Sequence, residues 1–296
     1  MNDLTHVAPG IWLVDTHQFG VPHQGGVYLI PGKPAALVES GTSLSRTRIL
    51  QALASLDLDP ADVAWIFVTH VHLDHAGGAG ALLEDLPAAR VVVHERGVRH
   101  LADPTRLVAS VKEAVQDRFP LYGDAVPIPP ERLHPAQDGE RFRLGKFSVQ
   151  AVDSPGHAPH HLCFFEQATG SLFSGDAAGL YLGGKLLPST VPPSFELEAA
   201  LATLDKLIGL QPRLILFTHF GPGEPTLLTT YKELLREWVD LVRRVRDQGA
   251  SEEEVVETVL QEATRRGWTS TGPAKADLRM SVRGVLGYLA RRAGQA

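Results

Sequence analysis

Cysteine is nearly absent from this chain: one residue, Cys163, in 296. A lone thiol cannot close an internal disulfide, so the chain is expected to suit a reducing compartment. Cys163 lies in the apolar run His161-Leu162-Cys163-Phe164-Phe165 and reads as a small buried hydrophobe rather than a nucleophile. Positive charge is also in deficit. Lys+Arg number 28 against 34 Asp+Glu, a net charge of -6, which argues against broad affinity for nucleic acid. No apolar stretch approaches the roughly 20 residues of a membrane span. The opening MNDLTHVAPG lacks the basic start and apolar run of a secretory signal. Internal repeats, low-complexity tracts and P-loop glycine spacing are missing too. These absences predict a soluble cytoplasmic protein with no use for a membrane or a nucleic acid.

What remains is ordinary globular composition, 44% hydrophobic and 21% charged, with enough chain for a large core. Up to about residue 222 the chain alternates short β-like runs with turns and helical patterns. GIWLVDT, GGVYLI, AALVES, VAWIFVTH, ARVVVHE, KFSVQAVD and PRLILFTH read as strands. HLCFFEQATGSLFSGD reads as a hairpin turning at Ala168-Thr169-Gly170. Helices are expected over roughly 45–55 and across FELEAALATLDKLIGL. Residues 97–140 read as an irregular insertion with one helix near SVKEAVQDRF, and YLGGKLLPST as a flexible loop. From residue 223 to 296 the pattern becomes helical. One long helix ends at Gly249, a second opens on Ser251 and Glu254 in capping-box spacing and stops at Gly267, and a third follows. Trp238, Leu241 and Val245 recur at helical spacing, as core residues do. The expected plan is an α/β body, 1–222, with a helical segment, 223–296, packed on it.

The body carries an unusual constellation. His70, His72, Asp74 and His75 crowd into six residues after a buried strand pattern. Single candidates follow at the ends of three later strand patterns: His157 in SPGH, Asp176 in FSGD and His219 in LFTH. Burying this many titratable groups with nothing to bind would cost several kcal/mol each. Nitrogen and oxygen donors without a thiolate suit zinc, manganese or iron, and five histidines with two carboxylates are enough for two adjacent sites.

At these residues the sequence resembles the metallo-β-lactamase-fold hydrolase superfamily, whose hallmark H-x-H-x-D-H is here His70, His72, Asp74 and His75. The resemblance spans roughly residues 8–222 and implies an αββα sandwich with a metal pair at one edge of the β layers. It implies that His70, His72 and His157 bind one metal, that Asp74, His75 and His219 bind the other, and that Asp176 bridges both. An aspartate at the bridging position is similar to the glyoxalase-II and lactonase branches. The C-terminal helices lack the basic and aromatic pattern by which glyoxalase II holds glutathione. Glu39, where many relatives have aspartate, is expected to steady a ligand histidine or Thr69.

A two-metal site of this kind implies a hydrolase that directs a metal-bridging hydroxide at a small-molecule ester, thioester or lactone, with Asp74 orienting it. The expected cofactors are two divalent ions, Zn2+ first, with Fe or Mn as alternatives. Two further readings share the scaffold: an iron-dependent redox enzyme similar to persulfide dioxygenases, held by His70, His157 and Asp176, and a di-iron oxygen-binding protein. His160 or His161 is expected to support a ligand or touch substrate, and His17 and His23 to line the mouth. His94 reads as structural; His6, His100 and His134 read as surface. A homodimer is the default oligomer.

Overall fold

The structure, a computed structural model, describes residues 3–268 and 273–294, with residues 273–277 as backbone only. Two β-sheets form its centre. The first has seven strands in the order β1 (Leu4–Ala8), β2 (Ile11–Asp15), β3 (Gly26–Ile30), β4 (Ala35–Val38), β5 (Val63–Phe67), β6 (Arg90–His94) and β7 (Leu133–Ala136). Its first four strands form an antiparallel meander, and β4 to β7 run parallel. The second has six: β8 (Arg141–Leu144), β9 (Phe147–Asp153), β10 (Leu162–Glu166), β11 (Ser171–Gly175), β14 (Leu214–Phe217) and β15 (Gly221–Gly223). A separate hairpin joins β12 (Leu180–Leu182) to β13 (Lys185–Leu187).

Alternation along the strands divides the apolar residues among three cores. Ile11, Leu13, Val38, Phe67, Phe142, Val149, Phe164 and Phe173 fill the space between the sheets. The outer face of the first sheet buries Leu37, Ile66, Val91 and Val93 against α1 (Arg46–Ser55), α2 (Leu73–Ala76), α3 (Ala79–Leu82) and α4 (Val98–Ala102). On the outer face of the second sheet, Val152, Cys163, Leu172 and Phe217 meet α6 (Leu197–Gly209), α7 (Leu227–Arg246), α8 (Glu252–Arg265) and α9 (Pro273–Ala293). The result is the expected αββα sandwich. The C-terminal helices share one core with the second sheet. In α7 the buried Tyr231, Leu234, Leu235, Trp238, Leu241, Val242 and Val245 recur every three or four residues, and α8 begins on the Ser251–Glu254 capping box.

Three details differ from the sequence reading. The 97–140 stretch is not wholly an insertion, because its end supplies β7, paired in parallel with β6. Leu133 and His134, cut off by Pro135, were too short a run to show strand alternation. Its helical part runs from Thr105 to Val115 (α5), followed by a 3-10 stretch over Gln116–Leu121. The loop after Asp176 is the β12–β13 hairpin, turned at Gly183 and Gly184, which both take positive φ (59° and 77°). Among the described residues no helix is long and apolar enough to cross a membrane.

Strand direction builds the site. β4 and β5 run parallel in the first sheet, and β9, β11 and β14 all point the same way in the second. Their carboxyl ends therefore meet at one edge of the sandwich, and the two sheets are tied there. Leu162 N–H donates to Thr69 O at 2.7 Å, and Tyr28 Oη–H donates to Phe217 O at 2.6 Å.

Candidate metal centre

The loop after β5 carries His70 and His72 and then turns into α2, whose first turns hold Asp74 and His75. His157 follows β9, Asp176 follows β11 and His219 follows β14. Gly175 gives Asp176 its approach: its φ is +49°, and a Cβ there would lie 2.6 Å from Thr69 Oγ1 and 2.7 Å from His161 Nε2.

The seven groups sort into two triads. His70, His72 and His157 form one, and Asp74, His75 and His219 the other, the donor atoms of each lying within 4.8 Å of one another. His70 Nε2 is 2.8 Å from His72 Nδ1, which is 3.2 Å from His157 Nε2. In the second triad His219 Nε2 is 3.2 Å from His75 Nε2 and 3.5 Å from Asp74 Oδ2. Asp176 stands between: Oδ2 is 3.6 Å from His157 Nε2, and Oδ1 is 3.3 Å from His75 Nε2 and 3.6 Å from His219 Nε2.

The outer ring atoms explain why the inner ones converge. His157 Nδ1–H donates to Ser189 O at 3.0 Å, and His219 Nδ1–H to Gln24 O at 2.6 Å. His75 Nδ1–H donates to Glu39 Oε1 at 2.8 Å, and His70 Nδ1–H to Thr69 Oγ1 at 3.0 Å. With Nδ1 committed outward, each of these four rings turns its Nε2 inward. Nitrogen lone pairs held about 3 Å apart repel unless a proton or a cation lies between them. Asp176 Oδ1 is buried with no hydrogen-bond donor. These donors fit a bound metal cation.

The charge balance agrees. Burial, reinforced by the neighbouring histidines, pushes His70 well below its ordinary range and His72 down to about 3, and burial also lowers His157. These three stay neutral, the form that ligates. Burial works against the charge on Asp74 and Asp176 as well, but His75 and its neighbours hold both carboxylates low and ionised. For His75 and His219 burial is outweighed by nearby carboxylates, so both are raised, and a cation bound there would compete with protons.

Glu39 sits under the second triad, fully buried, at φ +70°. Its carboxylate accepts from Thr69 Oγ1 (2.6 Å), Thr69 N–H (3.1 Å), His75 Nδ1 (2.8 Å) and Thr218 Oγ1 (3.0 Å). That set of bonds offsets a backbone strain of about 1–3 kcal/mol. His161 is also fully buried; its Nε2 accepts from Asp176 N–H at 3.2 Å, and its ring stacks on His70 at 4.9 Å. His160 is half-buried, its ring 6.3 Å from that of His72 and 6.1 Å from that of His100, and burial pushes it down to about 4. Neither faces the cleft.

His17 and His23 are not at the mouth. They turn to the far side of their loop, toward Asp3 and Asp15. The mouth is lined instead by Gln18, Phe19 and Gln24 of the same loop. Gln18 Nε2 donates to Asp74 Oδ2 at 3.1 Å. His134 is not simply a surface residue: it packs edge-on against Trp65 and Phe142, and its Nε2 is 2.7 Å from Glu140 Oε1. His94 is structural, its Nδ1 accepting from Arg96 N–H at 3.0 Å.

A cleft of about 610 Å³ opens above the triads. Its floor is His72, Asp74, His157, Asp176 and His219, and its walls include Phe19, Leu107, Val111, Leu180, Leu182 and Met280. The sequence held no sign of Gln18, Gln24 or Ser189. An amide or hydroxyl in a loop looks the same whether or not it meets a ligand residue.

The family profile described as "Metallo-beta-lactamase superfamily" matches residues 20–219. The chain is similar to "Metallo-beta-lactamase fold-containing protein ST1585" of Sulfurisphaera tokodaii, 28% identical over 72% of this chain and 80% of that protein. The crystal structure of ST1585 superposes with a TM-score of 0.72, covering 94% of this chain and 98% of that one at 23% identity. It is also similar to hydroxyacylglutathione hydrolase GloC of Haemophilus influenzae, 28% identical over 64% of this chain and 81% of that protein. The structure of a metallo-beta-lactamase family protein from Thermus thermophilus shares the fold, with a TM-score of 0.69 at 23% identity over 96% of this chain and 94% of that one.

Proposed function

The chain belongs to the metallo-beta-lactamase superfamily, and from that premise we propose that it is a two-metal hydrolase of small-molecule esters, thioesters or lactones with an apolar acyl part. One observation carries the reading: two complete triads with Asp176 turning one oxygen to each. A single-iron site on His70, His157 and Asp176 would leave Asp74, His75 and His219 without a task, so the second triad favours the hydrolase over the redox reading. GloC, a named hydrolase of an acyl thioester of glutathione, lends support by likeness.

His70, His72 and His157 would hold one ion, Asp74, His75 and His219 the second, and Asp176 would touch both. Two such ions, zinc by preference for this donor set, lower the pKa of water to about 7 and polarise a carbonyl oxygen. The chain's own residues do the rest. The apolar walls bind the acyl part and exclude water from the floor. Gln18 fixes the Asp74 carboxylate through Oδ2. Asp74, kept ionised and open to the cleft, accepts a hydrogen bond from the attacking water and orients it, and the water's proton ends on the leaving alcohol or thiol. The C-terminal helices close one side of the cleft through Met280 and Ser281.

The test is elemental analysis of protein purified without added metal, joined to a screen of esters, thioesters and lactones. About two zinc per chain, with hydrolysis lost on chelation and restored by zinc, is expected. One iron per chain with oxygen uptake and no hydrolysis would overturn the proposal.

A further inference from the structure

We propose that the segment Pro188–Thr190 is a strap through which the C-terminal helices position the metal ligands His157 and Asp176, with Ser189 and Thr190 as positioning residues. This rests on the metal-centre reading above and adds to it a role for α7 and α9.

Ser189 touches both ligands. Its Oγ–H donates to Asp176 Oδ2 at 2.8 Å, and its carbonyl accepts from His157 Nδ1–H at 3.0 Å. One residue thus orients the carboxylate shared by both triads and sets the tautomer of a histidine in the first. It can do so only if its backbone is held, and the holding groups come from the helices. Ser189 N–H donates to Tyr231 Oη of α7 at 3.2 Å. Thr190 Oγ1–H donates to Ser281 O of α9 at 2.7 Å and accepts from Trp238 Nε1–H of α7 at 3.1 Å. Ser281 Oγ–H donates to Pro188 O at 3.0 Å. Gly284 of α9 admits the strap: a Cβ there would lie 1.7 Å from Thr190 O.

Thr190, Trp238 and Ser281 are all essentially buried. A fully satisfied buried network of this kind is stiff, and removing one member leaves the others unpaired with no water to replace it. A shift at Thr190 must pass to Ser189, its covalent neighbour, and from there to His157 and Asp176. Groups that orient metal ligands typically change metal affinity about 10- to 100-fold when lost. On this view the helical segment does more than cover the second sheet, since two of its helices set ligand geometry.

The experiment is cobalt(II) titration of the metal-stripped full-length chain, followed by visible absorption, which reports ligand geometry as well as affinity. Thr190→Val and Ser189→Ala are each expected to weaken cobalt binding about 10- to 100-fold and to shift the visible bands. Ser189→Thr, which keeps the hydroxyl, is expected to restore both. Val259→Ala, in the buried face of α8, removes none of these hydrogen bonds. It should lower the melting temperature while leaving the cobalt spectrum unchanged. Trp238→Phe, which loses only the Nε1–H donor, serves in the same way if Thr190→Val does not fold. Folded strap variants with the wild-type affinity and spectrum would overturn the proposal, as would a Val259→Ala variant weakened as much as Thr190→Val. A wild-type chain that takes up no cobalt would overturn the metal-centre reading itself, a result distinct from equal uptake by wild type and variants.

Discussion

Glu39 Oε1 lies 2.8 Å from Nδ1 of His75, and neither side chain meets solvent. The same oxygen accepts the hydroxyls of Thr69 and Thr218, so one carboxylate joins the β4, β5 and β14 ends beneath the site. Glu39→Gln replaces one acceptor oxygen with an amide donor and leaves at least one of these groups unpaired. We expect zinc affinity to fall by about 10- to 100-fold, measured by competition with a chromophoric chelator. Wild-type affinity in a folded variant would refute this role.

Gln18 acts on the other carboxylate. Its hydrogen bond to Asp74 Oδ2 is charge-assisted and part-buried, of a kind worth about 1.5–3 kcal/mol. Gln18→Ala should therefore lower kcat by roughly 10- to 100-fold, with little change in KM for an apolar ester. Steady-state kinetics at full metal occupancy would show it. An effect confined to KM would mean that Gln18 contacts substrate instead.

The wall made by α5 should govern affinity rather than chemistry. Val111 lines the cleft from α5, an element that carries none of the seven candidate ligands. Burying a side chain of this size contributes about 1.5–3 kcal/mol. Val111→Asp should raise KM for long-chain esters about tenfold or more and leave kcat near wild type. An unchanged KM across chain lengths would place the acyl part elsewhere.

Metal-stripped protein should be most stable near pH 6.5, the ordinary value for an unfolded histidine. His70, His72, His157, His160 and His161 are lowered in the folded chain, mainly by burial. Below pH about 6.5 the unfolded chain takes up these protons first, so stability falls toward the folded values, about 3 for His72 and about 4 for His160. His75 and His219 are raised, so their contribution is complete below about 6.5 and is lost as pH rises through their folded values. Melting temperatures across pH 4–9 should pass through a maximum. A monotonic rise with pH would contradict this balance.

Cys163 should be inert. Burial pushes its thiol up to about 12, and its Sγ–H donates to Ser174 O at 3.3 Å. Iodoacetamide at pH 8 should leave native protein unmodified by mass spectrometry and label the denatured chain once. Rapid native labelling would show an open path to the thiol.

Much of the site could be read along the chain because its first part is local. His70, His72, Asp74 and His75 are held together by covalent connection and one turn of helix, and no packing is needed to make them neighbours. His157, Asp176 and His219 could be identified because each ends a strand pattern. The β7 strand was missed because its four residues, Leu-His-Pro-Ala, show no alternation and gain their pairing from β6. His17 and His23 were misplaced for a related reason. Their loop takes positive φ at His17, Phe19 and His23, which turns the imidazoles away and presents Gln18 and Phe19.

The sequence by itself determined the layered alternation of strands and helices, the cluster at 70–75 and the seven candidate donors, since these depend on periodicity, residue chemistry and short covalent spans. The tertiary structure alone decided what supports these donors. It set Asp176 Oδ1 toward His75 and Oδ2 toward His157, placed Gln18 on Asp74 across 56 residues, and tied Thr190 to Ser281 across 91. Those relations depend on how two sheets and the C-terminal helices pack. Packing is a collective result of burying three apolar cores at once, and no single loop residue carries a mark of it.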